Sequence, residues 1–228
     1  MKERITGALF IVGVLPVAYF LFDGIPFHIL LVASMLLATV EVYVVLDERP
    51  WQVNPDACRP QGAFAYQLAI LMVAIAVCFF VSRDDLALVV GTSMASDVGA
   101  YAIGSLCGRH KVKFLHKISA KKSYEGFLGG IIVGAAAASL LVYLLGITFS
   151  PVIIAYICVG GFVASVGDLL GSACKRQLGV KDSGEVLAQN GFFAIMEAPL
   201  KGHGGYLDRF DSISLNLLVY GILHIAIL

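Results

Sequence analysis

Several carboxylates stand where an apolar sequence should have none. Glu41, Asp97 and Asp168 each interrupt a hydrophobic run. Asp208 and Asp211 follow in the segment Gly202-His203-Gly204-Gly205-Tyr206-Leu207-Asp208-Arg209-Phe210-Asp211-Ser212. A charge at the bilayer centre costs roughly 3 kcal/mol or more, so each such acid needs a partner, a water-filled cavity or a metal ion. For Glu41, near the end of its run, a neutralised or hydrogen-bonded carboxyl is enough. The neighbours of Asp97 and Asp168 point to function. On a helix, Asp97, Tyr101, Gly104 and Gly108 recur at spacings of four, three and four, and so share a face. Close helix packing explains the glycines there, but it does not explain the acid.

Asp168 opens a second array, Asp168-Leu169-Leu170-Gly171-Ser172-Ala173-Cys174-Lys175-Arg176. If the helix continues, Asp168, Ser172 and Lys175 align, with Arg176 beside them. An acid and a basic pair on one face suit a metal–phosphate complex, in which the acid takes Mg²⁺ and the cations take phosphate oxygens. Taken alone, Lys175-Arg176 reads as a basic pair snorkelling at a helix end. Lys181-Asp182-Ser183-Gly184 adds a further basic and acidic pair. Asp208 and Asp211, three apart, share a face on a helical turn. Asp168 and Asp208 thus offer two carboxylates from distant parts of the chain, as a divalent cation in phosphoryl or nucleotidyl transfer requires.

A basic segment lies between these acids. Residues 108–126 hold Arg109, Lys111, Lys113, Lys117, Lys121 and Lys122, and end in Lys121-Lys122-Ser123-Tyr124-Glu125-Gly126. It reads in two ways: as a loop touching anionic headgroups, or as a triphosphate grip with Lys121, Lys122 and Ser123 at a helix N-terminus, whose amides attract anions. No GxxxxGK[ST] occurs, which excludes a P-loop.

The elements that must position these residues are membrane helices. Of 228 residues, 59% are hydrophobic and 14% charged, whereas soluble domains run at roughly half and a quarter. Zero net charge excludes a generally basic nucleic-acid binder and an acidic disordered chain. Five cysteines without a CxxC pair argue against a disulfide framework or zinc site. Seven apolar runs, at 5–22, 25–46, 64–81, 86–107, 127–149, 152–171 and 213–228, predict an all-α, polytopic bundle of about seven transmembrane helices. With a cytoplasmic N-terminus, every basic residue except Arg83 falls on the cytoplasmic side. Segments 108–126 and 172–212 then share that face, and the active site is expected there. The chain divides into generic N-terminal helices, 1–85, and a catalytic membrane domain, 86–228.

These motifs resemble the phosphatidate cytidylyltransferases, the CDP-diacylglycerol synthase family. That family's C-terminal pattern runs roughly S-x-x-K-R-x4-K-D-x-G and then H-G-G-x-x-D-R-x-D. Here it reads Ser172, Lys175-Arg176, Lys181-Asp182 and Gly184, then His203-Gly204-Gly205, Asp208-Arg209 and Asp211. Asp97-Val98-Gly99-Ala100-Tyr101 and Ile118-Ser119-Ala120-Lys121-Lys122-Ser123-Tyr124-Glu125-Gly126 are similar to its D-T-G-A-Y and I-S-P-K-K-T-x-E-G segments. The resemblance covers about 90–212. Ala120 stands where the family has proline and Ser123 where it has threonine. Residues 185–202 intervene between the K-D-x-G and H-G-G parts, and read as an interfacial or re-entrant insertion.

The resemblance implies transfer of CMP from CTP to phosphatidate, with Mg²⁺ as cofactor, in a bacterial-type inner membrane. It places the metal on Asp168 and Asp208, with Asp211 or Asp182 in support. Asp97 stands for a second cation or a nucleotide contact. Lys175, Arg176 and Lys181 would hold phosphates, and Lys121, Lys122 and Ser123 the nucleotide or lipid phosphate. Ser172 and Arg209 join the substrate-binding set, and His203 would orient a phosphate oxygen. CTP, phosphatidate and the bilayer are the expected partners, and small-residue faces are compatible with a homodimer. Three rivals remain open: a related CTP-using enzyme, either a lipid kinase of the polyprenol type or a cytidylyltransferase for another lipid phosphate; a small ion-coupled transporter; and a structural membrane scaffold.

Overall fold

The computed structural model describes residues 25–47, 60–110, 122–177 and 207–227. The expected run at 5–22, most of the basic loop (111–121) and the segment 178–206, with its 185–202 insertion, lie outside the described residues. The described residues form six helices and no extended strand. They are α1 (Ile25–Asp47), α2 (Pro60–Cys78), α3 (Arg83–Cys107), α4 (Tyr124–Leu144), α5 (Pro151–Gln177) and α6 (Leu207–Ile227). Among the described residues, four helices are long and apolar enough to cross a bilayer: α3, α4, α5 and α6. Apolar stretches in α1 (Phe27–Val40) and α2 (Ala65–Cys78) are shorter. The described residues are all helical, and the chain is an integral membrane protein.

The helices follow the apolar runs, but their ends move. α5 runs on to Gln177 and α6 starts at Leu207, beyond the expected 171 and 213. A hydropathy window stops at the first charges, whereas a helix crosses the edge of its apolar stretch so long as its backbone bonds close. α2 ends at Cys78, before the expected 81. There Phe79 and Phe80 turn, with their amides on Ala76 and Val77 carbonyls, and Ser82 caps α3 by accepting from the Asp85 amide at 3.2 Å. Ser123 caps α4 in the same way, its Oγ accepting from the Gly126 amide at 3.1 Å. At the other end of α4, Gly146 takes φ 65°. This left-handed residue lets the Ile147 amide reach back to the Val142 carbonyl at 3.0 Å, a helix stop that favours glycine.

Two compact units divide the chain. The first comprises 1–75 and 174–210; the second comprises 76–173 and 211–228. In the first, α1 buries Phe27, Leu31, Met35 and Ala38 along one face and exposes Ile29, Leu36 and Val40 on the others. Such all-round apolarity fits a helix whose solvent is lipid.

The second unit is held by glycines. In lipid there is no hydrophobic drive between helices, so close backbone approach supplies the attraction. α3 packs along α4, and a Cβ on Gly126 would stand 3.1 Å from the Gly104 Cα and 2.8 Å from the Ala100 carbonyl oxygen. α4 meets α5 where a Cβ on Gly134 would stand 2.7 Å from the Gly161 Cα. α5 meets α6 where a Cβ on Gly167 would stand 2.9 Å from the Ser212 Cα, and one on Gly171 would overlap the Asp211 side chain. The small-residue faces noted in the sequence are consumed inside the unit.

Candidate active site

A cavity of about 530 Å³ opens inside the second unit. α3 contributes Asp97, Tyr101, Gly104 and Ser105; the start of α4 contributes Lys122, Ser123, Tyr124 and Phe127; α5 contributes Ser165, Asp168 and Leu169. The helical face expected from Asp97, Tyr101 and Gly104 is one wall. Tyr101 is 79% and Tyr124 53% exposed, so the mouth is aromatic and the floor polar.

The floor carries the charge. Lys122 Nζ lies 2.7 Å from Asp168 Oδ2. This is an ion pair by distance, off the line of a directed hydrogen bond. Asp97 presents its surface to the same cavity, and its Oδ2 accepts from the Ser212 hydroxyl at 2.9 Å. Asp168, Asp211 and Lys122 all lie within electrostatic reach of Asp97. The cavity therefore concentrates opposite charges within a short distance of one another.

The base of the basic loop is closed beside this floor. The Tyr124 amide donates to the His110 carbonyl at 3.1 Å, and His110 Nδ1 lies 2.6 Å from Glu125 Oε1. The two ends of 110–124 thus meet, and Lys122 and Ser123 stand on the cavity side of the join.

The remaining expected residues fall as follows. Ser172, half-buried, and Lys175, buried, continue along α5 from Asp168, with exposed Arg176 next to Lys175. Asp211 is buried near the start of α6, and its Oδ1 accepts from the Ser212 amide at 2.9 Å. Asp208 and Arg209 lie in the first turn of α6. Lys121, Lys181, Asp182 and His203 lie outside the described residues.

Sequence reasoning missed the groups that hold the acids. Ser212 on Asp97 and Asn216 Nδ2 on Ser93 Oγ, at 2.9 Å each, tie α6 to α3. Ser96 and Ser165 hydroxyls lie 3.1 Å apart, and both point at the Gly161 carbonyl. A signal was available: Ser93/Asp97 and Ser212/Asn216 are both four apart. Each pair therefore lies on one face of its helix.

A curated phosphatidate cytidylyltransferase of Mycobacterium leprae (strain TN) is 36% identical over 122 residues, 53% of this chain and 34% of that protein. One from Mycobacterium tuberculosis (strain H37Rv) is 38% identical over 122 residues, 53% of this chain and 32% of its own length. One from Staphylococcus aureus (strain COL) is 34% identical over 129 residues, 56% of this chain and 44% of its own length. The matched stretch thus spans between 32% and 44% of these relatives. No solved structure matches the chain. The family model described as the cytidylyltransferase family matches residues 2–226, nearly the whole sequence, and the chain belongs to that family.

Proposed function

We propose that this protein transfers CMP from CTP to phosphatidate, giving CDP-diacylglycerol and pyrophosphate. The observation that carries the reading is the cavity that holds Asp97, Lys122 and Asp168 under an aromatic mouth. A polar floor and apolar walls suit a ligand with a phosphate at one end and acyl chains at the other. The three named relatives are phosphatidate cytidylyltransferases.

The chemistry asks little of a general base. A phosphatidate oxygen, already anionic, attacks the α-phosphorus of CTP, and the bond to the β-phosphate breaks as pyrophosphate leaves. The main barrier is repulsion between two polyanions, which fixed cations relieve. Lys122, with Lys121, Lys175, Arg176, Lys181 and Arg209, would hold phosphate oxygens. Ser123 and Ser172 would add hydroxyl contacts, and His203 would orient a phosphate oxygen.

The acids fit Mg²⁺ by donor chemistry. Asp97 and Asp168 each give one oxygen, Oδ2, to a protein partner, and their Oδ1 atoms remain as hard donors. Among the described residues, no three His, Cys, Asp or Glu side chains form a cage of their own. That suits Mg²⁺, which takes one or two carboxylates and completes its shell with water and substrate phosphates. Asp168 and Asp208 would hold the ion, Asp211 or Asp182 would support it, and Asp97 would meet a second cation or the nucleotide. When bound, Mg²⁺ neutralises triphosphate charge.

The finer architecture belongs to the same proposal: about seven spans, a cytoplasmic N-terminus and active site in a bacterial-type inner membrane, and catalysis within 86–228 behind generic helices 1–85. A homodimer would need faces other than the glycine seams, which are occupied within the chain.

The test is incubation of purified protein with labelled CTP, phosphatidate and Mg²⁺. Label in a lipid product with release of pyrophosphate supports the reading. Release of CDP makes the protein a lipid kinase instead, and no turnover rejects both.

A further inference from the structure

Ser212 stands between two acids and bonds to both. Its hydroxyl donates to Asp97 Oδ2 and its amide to Asp211 Oδ1, each at 2.9 Å. The residue is 1% exposed and Asp211 is 5% exposed, so the donor side of both bonds is shielded from water. A hydroxyl donor to a carboxylate is charge-assisted and correspondingly strong. Such a bond removes a rotational choice from the carboxyl of Asp97, which lines the cavity.

The glycines of α5 make this arrangement accessible. Gly167 and Gly171 flank Asp168 in sequence, and a Cβ on either would strike the Asp211–Ser212 segment. Their bare backbone admits that segment against α5 on the turn that carries Asp168. The acid from α5, the acid from α3 and the start of α6 are therefore gathered by one residue and two absent side chains. One turn along α6, Asn216 donates to Ser93. That pair ties the same two helices, and neither of its members lines the cavity.

We infer that Ser212 is a positioning residue: it fixes the Asp97 carboxylate, and through its amide Asp211, for cation and nucleotide binding in the cavity. The inference rests on the proposed transferase reading for its substrate, but its geometry is independent of which lipid is used. Partners that orient a ligating group from behind commonly set affinity or activity by about tenfold to a hundredfold.

The experiment compares Ser212→Ala, Ser212→Thr and Asn216→Leu in the full-length protein. It measures binding of Mn²⁺ alone by electron paramagnetic resonance, thermal unfolding in detergent, and kcat and KM for CTP. Ser212→Ala is expected to weaken Mn²⁺ binding and lower kcat/KM by about tenfold to a hundredfold. Ser212→Thr, which keeps the hydroxyl, should restore most of both. Asn216→Leu should lower the unfolding temperature and leave Mn²⁺ binding at the wild-type value. Wild-type Mn²⁺ binding in Ser212→Ala overturns the inference, and so does an equal loss in Asn216→Leu or an absence of Mn²⁺ binding in the wild type. A wild type that binds Mn²⁺ through Ser212 yet forms no CDP-diacylglycerol sinks the transferase reading and keeps the positioning role.

Discussion

The second unit has a cavity at each end of its helices, and the two use their acids differently. One is the cavity of about 530 Å³ that holds Asp97, Lys122 and Asp168. The other, of about 320 Å³, lies where α3 and α5 begin and α4 and α6 end, and is lined by Asp84, Asp85, Tyr220 and His224. Both contain two aspartates. At the smaller cavity each acid has a partner close in sequence, and Asp85 also meets the Tyr220 hydroxyl of α6. Asp84 pairs with Arg83 at 3.4 Å, and Asp85 accepts from Ser82 at 2.8 Å in the first turn of α3, where negative charge offsets the helix dipole. At the larger cavity the partners come from other helices: Lys122 reaches Asp168, and Ser212 reaches Asp97. An acid that bonds the cap residue of its own helix is doing capping work, whatever else it meets. An acid whose partner requires two helices to approach through glycine has been placed.

This contrast can be broken by substitution. The largest effect belongs to Asp168→Asn and Asp208→Asn. Each should cut CDP-diacylglycerol formation by about 10²–10³-fold, the scale of losing a preorganised electrostatic group, while circular dichroism stays native. Full activity in Asp168→Asn would erase the distinction between the two cavities. Lys122→Ala comes next, with a loss in kcat/KM for CTP of about tenfold to a hundredfold, accompanied by reduced stability because Asp168 loses its counter-ion. Gly134→Ala tests the frame rather than the charge. A methyl against the Gly161 backbone should cost about 1–3 kcal/mol in a detergent unfolding assay, and an unchanged melting curve would show that the seam yields easily. Asp85→Asn should be smallest, about 0.3–1 kcal/mol from the lost N-terminal charge, with turnover within twofold of wild type. A larger fall in turnover would promote the small cavity to a functional one.

Much of the frame was legible in the sequence because hydropathy and helix period report directly on solvent. The apolar runs located the described helices, and the four-three-four spacing of Asp97, Tyr101, Gly104 and Gly108 foretold a shared face, three members of which line the cavity. The start of α4 was readable from Ser123, whose hydroxyl caps it. The helix ends were less so, because Asp208, Arg209 and Asp211 stopped an apolar count that the backbone ignores. Pairings were not legible either. By residue type Lys122 reads as a phosphate ligand and Asp168 as a metal ligand, and the fold puts them in one ion pair. Residue type gives what a side chain can bind, but which partner it meets depends on tertiary approach. Ser212 was passed over for the same reason, since a buried serine carries no charge to flag it.

The glycine crossing beneath the larger cavity has a consequence for how such a site can diversify. Gly104 and Gly126 meet backbone to backbone there, so that part of the base has no rotamers to adjust and no side chain to exchange. Tyr101 and Tyr124, by contrast, project from the rim and touch little that the seam depends on. On the proposed transferase reading, descent can rework the rim for longer, shorter or branched tails while the base keeps its shape. Preference among lipid tails and the identity of the reaction would thereby be free to drift apart.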